Sequence, residues 1–198
     1  MGLTQQRVAG AIDRECDIAA VVYARGDDPD ALLRSFATDV ASSGCRVVGF
    51  HQDGHCHATN GMRLTLLPAG RAVPISQELG PGSSSCSLDA AQLDCACSEL
   101  RRYLTSSGAE LVVLNRFGKL EEAGRGLRAE IIAAVLAEIP LIIAVSEHRF
   151  DAWNRFVGGM SVKLACRRDH VDRWWRSVRD MAPQSLASAS ARFCGDWK

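Results

Sequence analysis

Asn115, Arg116, Lys119 and Glu121 fall within seven residues, and Arg125 and Arg128 follow within the next seven. Arginine offers a planar fork that matches a phosphate or a tetrahedral oxoanion bidentately, and lysine adds a point charge, so the set has the chemistry of an anion-binding site. The same charges could instead be spent on ion pairs with Glu121, Glu122 and Glu130, as helix-surface charges commonly are. Residue types alone leave both readings open.

The position of the set favours a site. Leu111-Val112-Val113-Leu114 is a run of four apolar residues that reads as a strand buried on both faces, and the polar, glycine-bearing stretch after it reads as a loop at the carboxyl end of that strand. In open α/β sheets ligands bind at that edge. Other loops leaving the same edge should contribute Arg25-Gly26, after a strand over Ile18 to Tyr23, and Ser146, after a strand over Leu141 to Val145. The expected site therefore joins Arg25, Gly26 and Ser146 to Asn115, Arg116, Lys119, Glu121, Arg125 and Arg128.

The remaining elements follow from hydrophobic period. Asp27 or Asp28 caps a helix whose first turn suits Pro29 and whose buried stripe is Leu32 or Leu33, Phe36 and Val40. Arg46 to Phe50 is the next strand, parallel to the first across that helix. Residues 62–67 and 71–76 flank Pro68-Ala69-Gly70 and read as a hairpin, with Pro74 placing its second arm at an edge. A helix from about Asp89 to Ser106 buries Leu93, Cys97, Leu100 and Leu104. Another carries Leu127, Ile131, Val135 and Ile139. A short helix around Trp153, a strand over Ser161 to Ala165 and a helix with Val171, Trp174, Trp175 and Val178 close the pattern. This predicts a three-layer α/β domain over residues 18–181, mainly parallel with one antiparallel hairpin, between an N-terminal arm (1–17) and an irregular tail (182–198).

Composition narrows the partners. A chain of 198 residues, 47% hydrophobic and with formal net charge zero, can bury one sizeable core but has no global field for nucleic acid or an anionic membrane. No apolar run reaches the roughly 20 residues that a bilayer span needs, and the polar start lacks a signal-peptide core, so a cytoplasmic location is expected. Oligomeric state, including a homo-oligomer, stays open. Eight cysteines occur without a C-x-x-C pair, which suggests free thiols acting as small hydrophobes. A second cluster, His51, His55, Cys56 and His57 with Cys86, has ligand types suited to Zn²⁺ or Cu. In extended chain, however, Cys56 points away from His55 and His57, and an exposed loop is the simpler reading.

Leu114-Asn115-Arg116-Phe117-Gly118-Lys119-Leu120-Glu121 resembles a segment of the thermophilic-type nucleoside-triphosphatases and of the related guanine-nucleotide-binding molybdopterin accessory proteins. In those proteins a strand ends in an acidic pair followed by Ile-Gly-Lys-Met-Glu. The likeness extends over roughly residues 18 to 146 through Gly49-Phe50, the hairpin at Pro68-Ala69-Gly70 and the following helix. The chain is nearer still to an uncharacterised bacterial family that carries Asn-Arg-Phe-Gly-Lys-Leu-Glu and a Gly-Arg-Gly-Leu-Arg helix start and is often found beside molybdate uptake systems. Ile75 to Gly82 and Cys86-Ser87-Leu88-Asp89 are similar to its other shared segments. The resemblance implies a P-loop-NTPase-like scaffold and a link to molybdate or molybdenum-cofactor handling.

The departures matter as much. No Gly-Lys-Ser/Thr follows the first strand; Arg25-Gly26-Asp27-Asp28-Pro29-Asp30 puts carboxylates where phosphate charge would sit. Asn115 and Arg116 replace the acidic pair that anchors Mg²⁺. The expectation is a non-hydrolytic ligand-binding or regulatory protein that takes a small anion, such as molybdate or a phosphate-bearing ligand, and no Mg-nucleotide. The alternative is a nucleotide phosphatase or transferase with rearranged catalytic groups.

Overall fold

The structure, a computed structural model, describes residues 16–54, 61–77, 87–106 and 108–181. Its centre is a seven-stranded sheet. Five parallel strands, β1 (Ile18–Tyr23), β2 (Val47–Asp53), β7 (Leu111–Phe117), β8 (Leu141–Ser146) and β9 (Val162–Ala165), lie in the order β2-β7-β8-β1-β9. The hairpin of β3 (Arg63–Leu67) and β4 (Ala72–Pro74) extends the β2 side antiparallel, with Pro74 on the outermost strand as a residue without a backbone N–H requires. A separate two-stranded pairing of β5 (Ser76–Gln77) with β6 (Ser87–Leu88), which hydrophobic period does not reveal, follows the hairpin.

Period-two alternation sorts the apolar strands between two cores. Val112 and Leu114 of β7 with Leu141, Ile143 and Val145 of β8 face one layer; Leu111, Val113, Ile142 and Ala144 face the other. The first layer is α2 (Ala90–Ser106), α4 (Arg128–Leu136) and α5 (Phe150–Phe156), which bury Leu93, Cys97, Leu100, Leu104, Ile131 and Trp153. The second is α1 (Pro29–Ser42) and α6 (Arg168–Met181), which bury Leu33, Phe36, Val40, Val171, Trp174 and Val178. The three-layer, mainly parallel α/β architecture is as expected.

One helix is shorter than its period suggests. Residues Leu127, Ile131, Val135 and Ile139 read as one stripe, but α4 ends at Leu136 because Glu138 takes a left-handed conformation (φ 53°) and Ile139 N–H turns back to the Ala134 carbonyl. Ala134 takes the buried place given to Val135. The thiols also depart from expectation: of Cys16, Cys45, Cys95, Cys97 and Cys166, only Cys97 is buried. Burial pushes the Cys97 thiol up to about 12.

Gly49 fixes the approach of β2 to β7. It pairs with Val113 at φ 141°, and a Cβ built on it would lie 1.8 Å from the Val113 carbonyl oxygen. Backbone, unlike a long side chain, cannot step aside. Gly49→Ala should therefore destabilise the protein by about 2–4 kcal/mol in chemical denaturation, whereas a change below about 0.5 kcal/mol would show that the strands can separate there freely.

Candidate functional site

β7 carries burial past its apolar run: Leu114 is fully buried and Asn115 is 2% exposed. Its pairing with β8 then slips between Leu114 and Phe117, an irregularity of the kind that re-aims side chains, and the Asn115–Arg116 peptide is cis. Arg116 reaches the first turn of α1. One terminal nitrogen donates to both carboxylate oxygens of Asp30 at 2.9 Å, and the other donates to the Tyr23 hydroxyl at 3.2 Å. The Asn115 amide donates to the same Asp30 oxygen. Burial opposes the Arg116 charge, but Asp30 and Tyr23 outweigh it and hold the guanidinium above its ordinary range.

The amino end of α1 supplies its own negative charge. Asp28 caps the helix by accepting from Ala31 N–H at 2.9 Å, Pro29 occupies the first turn, and Asp27 accepts from Ala24 N–H at 2.8 Å. Arg25 and Gly26, in the exposed turn between, face solvent.

Beyond Phe117 the chain is held by Glu121, in the four-residue helix α3 (Lys119–Glu122). Its carboxylate is 5% exposed and accepts from Gly118 N–H at 2.8 Å and Leu127 N–H at 2.9 Å. This closes the turn over residues 118–127. Gly126 makes room for it, since a Cβ there would sit 2.1 Å from the Glu121 carboxylate oxygen. Desolvation raises the Glu121 pKa against the pull of those backbone donors.

The sequence-predicted residues are partly brought together. Asn115, Arg116, Lys119 and Glu121 line one cavity of about 410 Å³ with Gln52 and a wall of apolar side chains. Arg128 instead lies 4.8 Å over the Phe156 ring, beside a second hollow of about 600 Å³ that it shares with Glu121, Glu122 and Arg155. Arg25, Gly26, Arg125 and Ser146 line neither. Arg125 sits in the turn before α4, so it and Arg128 do not share a helical turn. The expected acidic partners are engaged elsewhere: Glu122 pairs with Arg149, and Glu130, 1% exposed, lies 2.7 Å from Arg101.

Sequence reasoning missed Asp30, Tyr23 and Gln52 as site residues. Asp30 and Tyr23 were findable in principle, because both stand at the carboxyl edge of β1, where the parallel arrangement gathers loops. The candidate metal ligands His55, Cys56, His57 and Cys86 lie outside the described residues. His51 belongs to β2, where its Nε2 approaches Asp53 at 3.4 Å and burial lowers its pKa. Among the described residues no group of three or more His, Cys, Asp or Glu side chains could hold a metal ion.

This sheet with its flanking helices is the fold of nucleoside triphosphatases. A human cancer-related nucleoside triphosphatase superposes with a TM-score of 0.59 at 14% identity, over 84% of this chain and 99% of that one. THEP1 from the hyperthermophile Aquifex aeolicus gives 0.56 at 10% identity, over 81% and 95%. Residues 18–174 match the family described as protein of unknown function (DUF2478), and the chain belongs to it. A relative from Bradyrhizobium diazoefficiens, molybdenum import ATP-binding protein ModC 2, is 41% identical over 166 residues; these are 81% of this chain but only 18% of that protein. No helix among the described residues is long and apolar enough to cross a membrane.

Glu121 gives this site a pH signature. A carboxyl whose native pKa lies above its ordinary 4.5 contributes stability that is complete below that value and is lost as pH rises through the native pKa. The melting-temperature difference, wild type minus Glu121→Gln, should thus be larger near pH 4.5 than near pH 7. A difference that grows toward pH 7 instead would mean that the backbone donors dominate.

Proposed function

We propose that this chain is a non-hydrolytic ligand-binding or regulatory domain on a triphosphatase-like scaffold, taking a small oxoanion or a phosphate-bearing ligand in connection with molybdate handling. The observation that supports it best is the grip of Arg116 and Asn115 on Asp30. One terminal guanidinium nitrogen that donates to both Asp30 oxygens, with an amide donor beside it, forms a cradle that an oxoanion could occupy, and the Asp30 carboxylate stands in for that anion. An incoming molybdate or phosphate would take the donors of Arg116 and release Asp30 from β7, which links ligand binding to the position of α1. The relative bears on the biology: a segment like this chain is built into a protein named for molybdenum import. A cytoplasmic location and a small anionic ligand rather than nucleic acid go with this reading.

Exchange makes a prediction of opposite signs. Removing the internal competitor should strengthen binding, so Asp30→Ala should bind molybdate about tenfold or more tightly than wild type by calorimetry. Arg116→Ala should lose about ten- to a hundredfold. If the pair is only structural, both variants melt lower and neither differs from wild type in any anion titration.

Catalysis separates the alternative. The carboxylates at the amino end of α1 are engaged by Ala24, Ala31 and Arg116, and Asn115-Arg116 occupies the place of an acidic pair. Purified protein with Mg²⁺ should therefore release no phosphate from ATP or GTP above a buffer control. Turnover abolished by Arg116→Ala would establish a nucleotide phosphatase or transferase instead.

A further inference from the structure

Helix α4 lacks the polar outer face that a surface helix normally has. Its inner residues, Glu130, Ile131 and Ala134, are buried, and Ala129, Ile132, Ala133 and Leu136 form a row on the opposite side, at the spacing that places residues on one helix face. From Ala129 to Ala137 the buried Glu130 is the one polar residue. The outer faces of the other long helices carry charges instead: Arg34 and Asp39 on α1, Asp94 and Arg102 on α2, Arg173 and Arg176 on α6. Among the described residues only three large hydrophobic side chains are exposed, and two of them stand in this row, Ile132 at 40% and Leu136 at 79%. The third, Met160, borders a hollow that Val135 of the same helix also lines. A helix apolar on every side belongs inside a larger body.

The order of sizes along the row identifies what would cover it. Read from the amino end the row is small, large, small, large, and from the carboxyl end it is large, small, large, small. Two copies aligned antiparallel, with a twofold axis between positions 132 and 133, therefore set Ile132 against the partner's Ala133 and Leu136 against the partner's Ala129, each pair twice. Parallel alignment would set large on large and leave small facing small. The charges agree with the antiparallel sense. Arg125, exposed just before the helix, and Glu138, exposed just after it, have no ion-pair partner among the described residues. This alignment sets position 138 opposite the partner's position 127, within reach of an arginine side chain from position 125. We propose that the outer face of α4 is a homodimer interface, in which two antiparallel α4 helices pack large residue against small and an Arg125–Glu138 pair flanks them at each end. The Arg116–Asp30 contact lies across the sheet with α1, so pairing leaves the proposed anion site open. A nine-residue helix offers a face only about 13 Å long, so the dimer is a weak one.

Sedimentation equilibrium on the full chain tests this. The mass should rise from one chain toward two between about 1 and about 500 μM, the range of a weak interface. Leu136→Glu replaces a side chain that is mostly exposed in the single chain, so at concentrations where wild type is monomeric it should melt as wild type does, and it should weaken the dimer about a hundredfold. Arg125→Glu and Glu138→Arg should each weaken association about three- to tenfold at low salt, because each sets like charges against one another at both ends. Mixed in equal amounts, the two variants should associate as tightly as wild type, since every charge then meets its opposite. Rescue of that kind requires the two positions to meet across the interface and does not follow from a structural role. Both charge variants lie outside the helix and decide the matter should Leu136→Glu not fold. A chain that stays monomeric throughout this range, undiminished association in Leu136→Glu, or a mixture that fails to rescue would each overturn the proposal; the first result would assign the face to another segment of this chain or to a different protein.

Discussion

A strand buried on both faces cannot end in a charge without a partner waiting for it, and the Arg116–Asp30 contact is how this sheet meets that condition. β7 is the middle of the fold, with β2 and β8 on its sides and helices above and below. Its last residues pass from full burial to Asn115 and Arg116 within two positions. Leaving either donor unpaired there would cost a desolvation penalty of roughly 1–3 kcal/mol, which is more than the net contribution of a typical made hydrogen bond. Asp30 answers both donors and ties α1 to a strand 85 residues away in sequence. By contrast, the exposed pairs of Arg167 with Asp169 and Arg168 with Asp39 contribute little, since water and salt screen them.

Glu121 does for the loop what Asp30 does for the strand. Between them the two carboxylates turn a polar edge into fixed geometry: one draws Arg116 toward α1, the other draws Gly118 and Leu127 together and so presents Lys119 and Leu120 to the cavity. The glycines around them have a local cause. Gly126, at φ 62°, is needed because the Glu121 carboxylate occupies the space of its Cβ. What reads in sequence as a polar, glycine-bearing loop is a tightly hydrogen-bonded turn.

Hydrophobic period was enough to locate the strands, the helices and the buried stripes of α1, α2 and α6, because each depends on neighbours two to four residues away. Strand order does not have that property. Nothing in Val162–Ala165 says that it lies beside β1 rather than beyond β2, and the two-residue strands β5 and β6 are too short to carry a period. The same distinction runs through the site. Lys119 and Glu121 could be placed beside Asn115 from adjacency along the chain, but the partner of Arg116 lies on another element. Reading locally offered Glu121, Glu122 and Glu130, but Glu121 is taken up by the backbone of its own turn, and Glu122 and Glu130 by Arg149 and Arg101, which only the folded chain brings near. Helix α4 stopped early for a similar reason: a left-handed Glu138 has no sequence marker of the kind that glycine provides.

The charge at the carboxyl edge supports the proposed reading of a triphosphatase-like fold that does no triphosphate chemistry. Such chemistry needs positive potential at the first helix and a carboxylate pair to hold Mg²⁺. Here the signs are exchanged: Asp27, Asp28 and Asp30 gather at the helix, and Arg116 stands at the strand. A unit charge repelling another at about 4 Å is worth roughly 4 kcal/mol near a protein surface, so three carboxylates weigh heavily against a polyphosphate. Changing Arg116 alone to a carboxylate would not produce a metal-holding pair, since it would face Asp30 as a like charge with neither partnered. The two positions are in direct contact, so the effects of changing them are coupled.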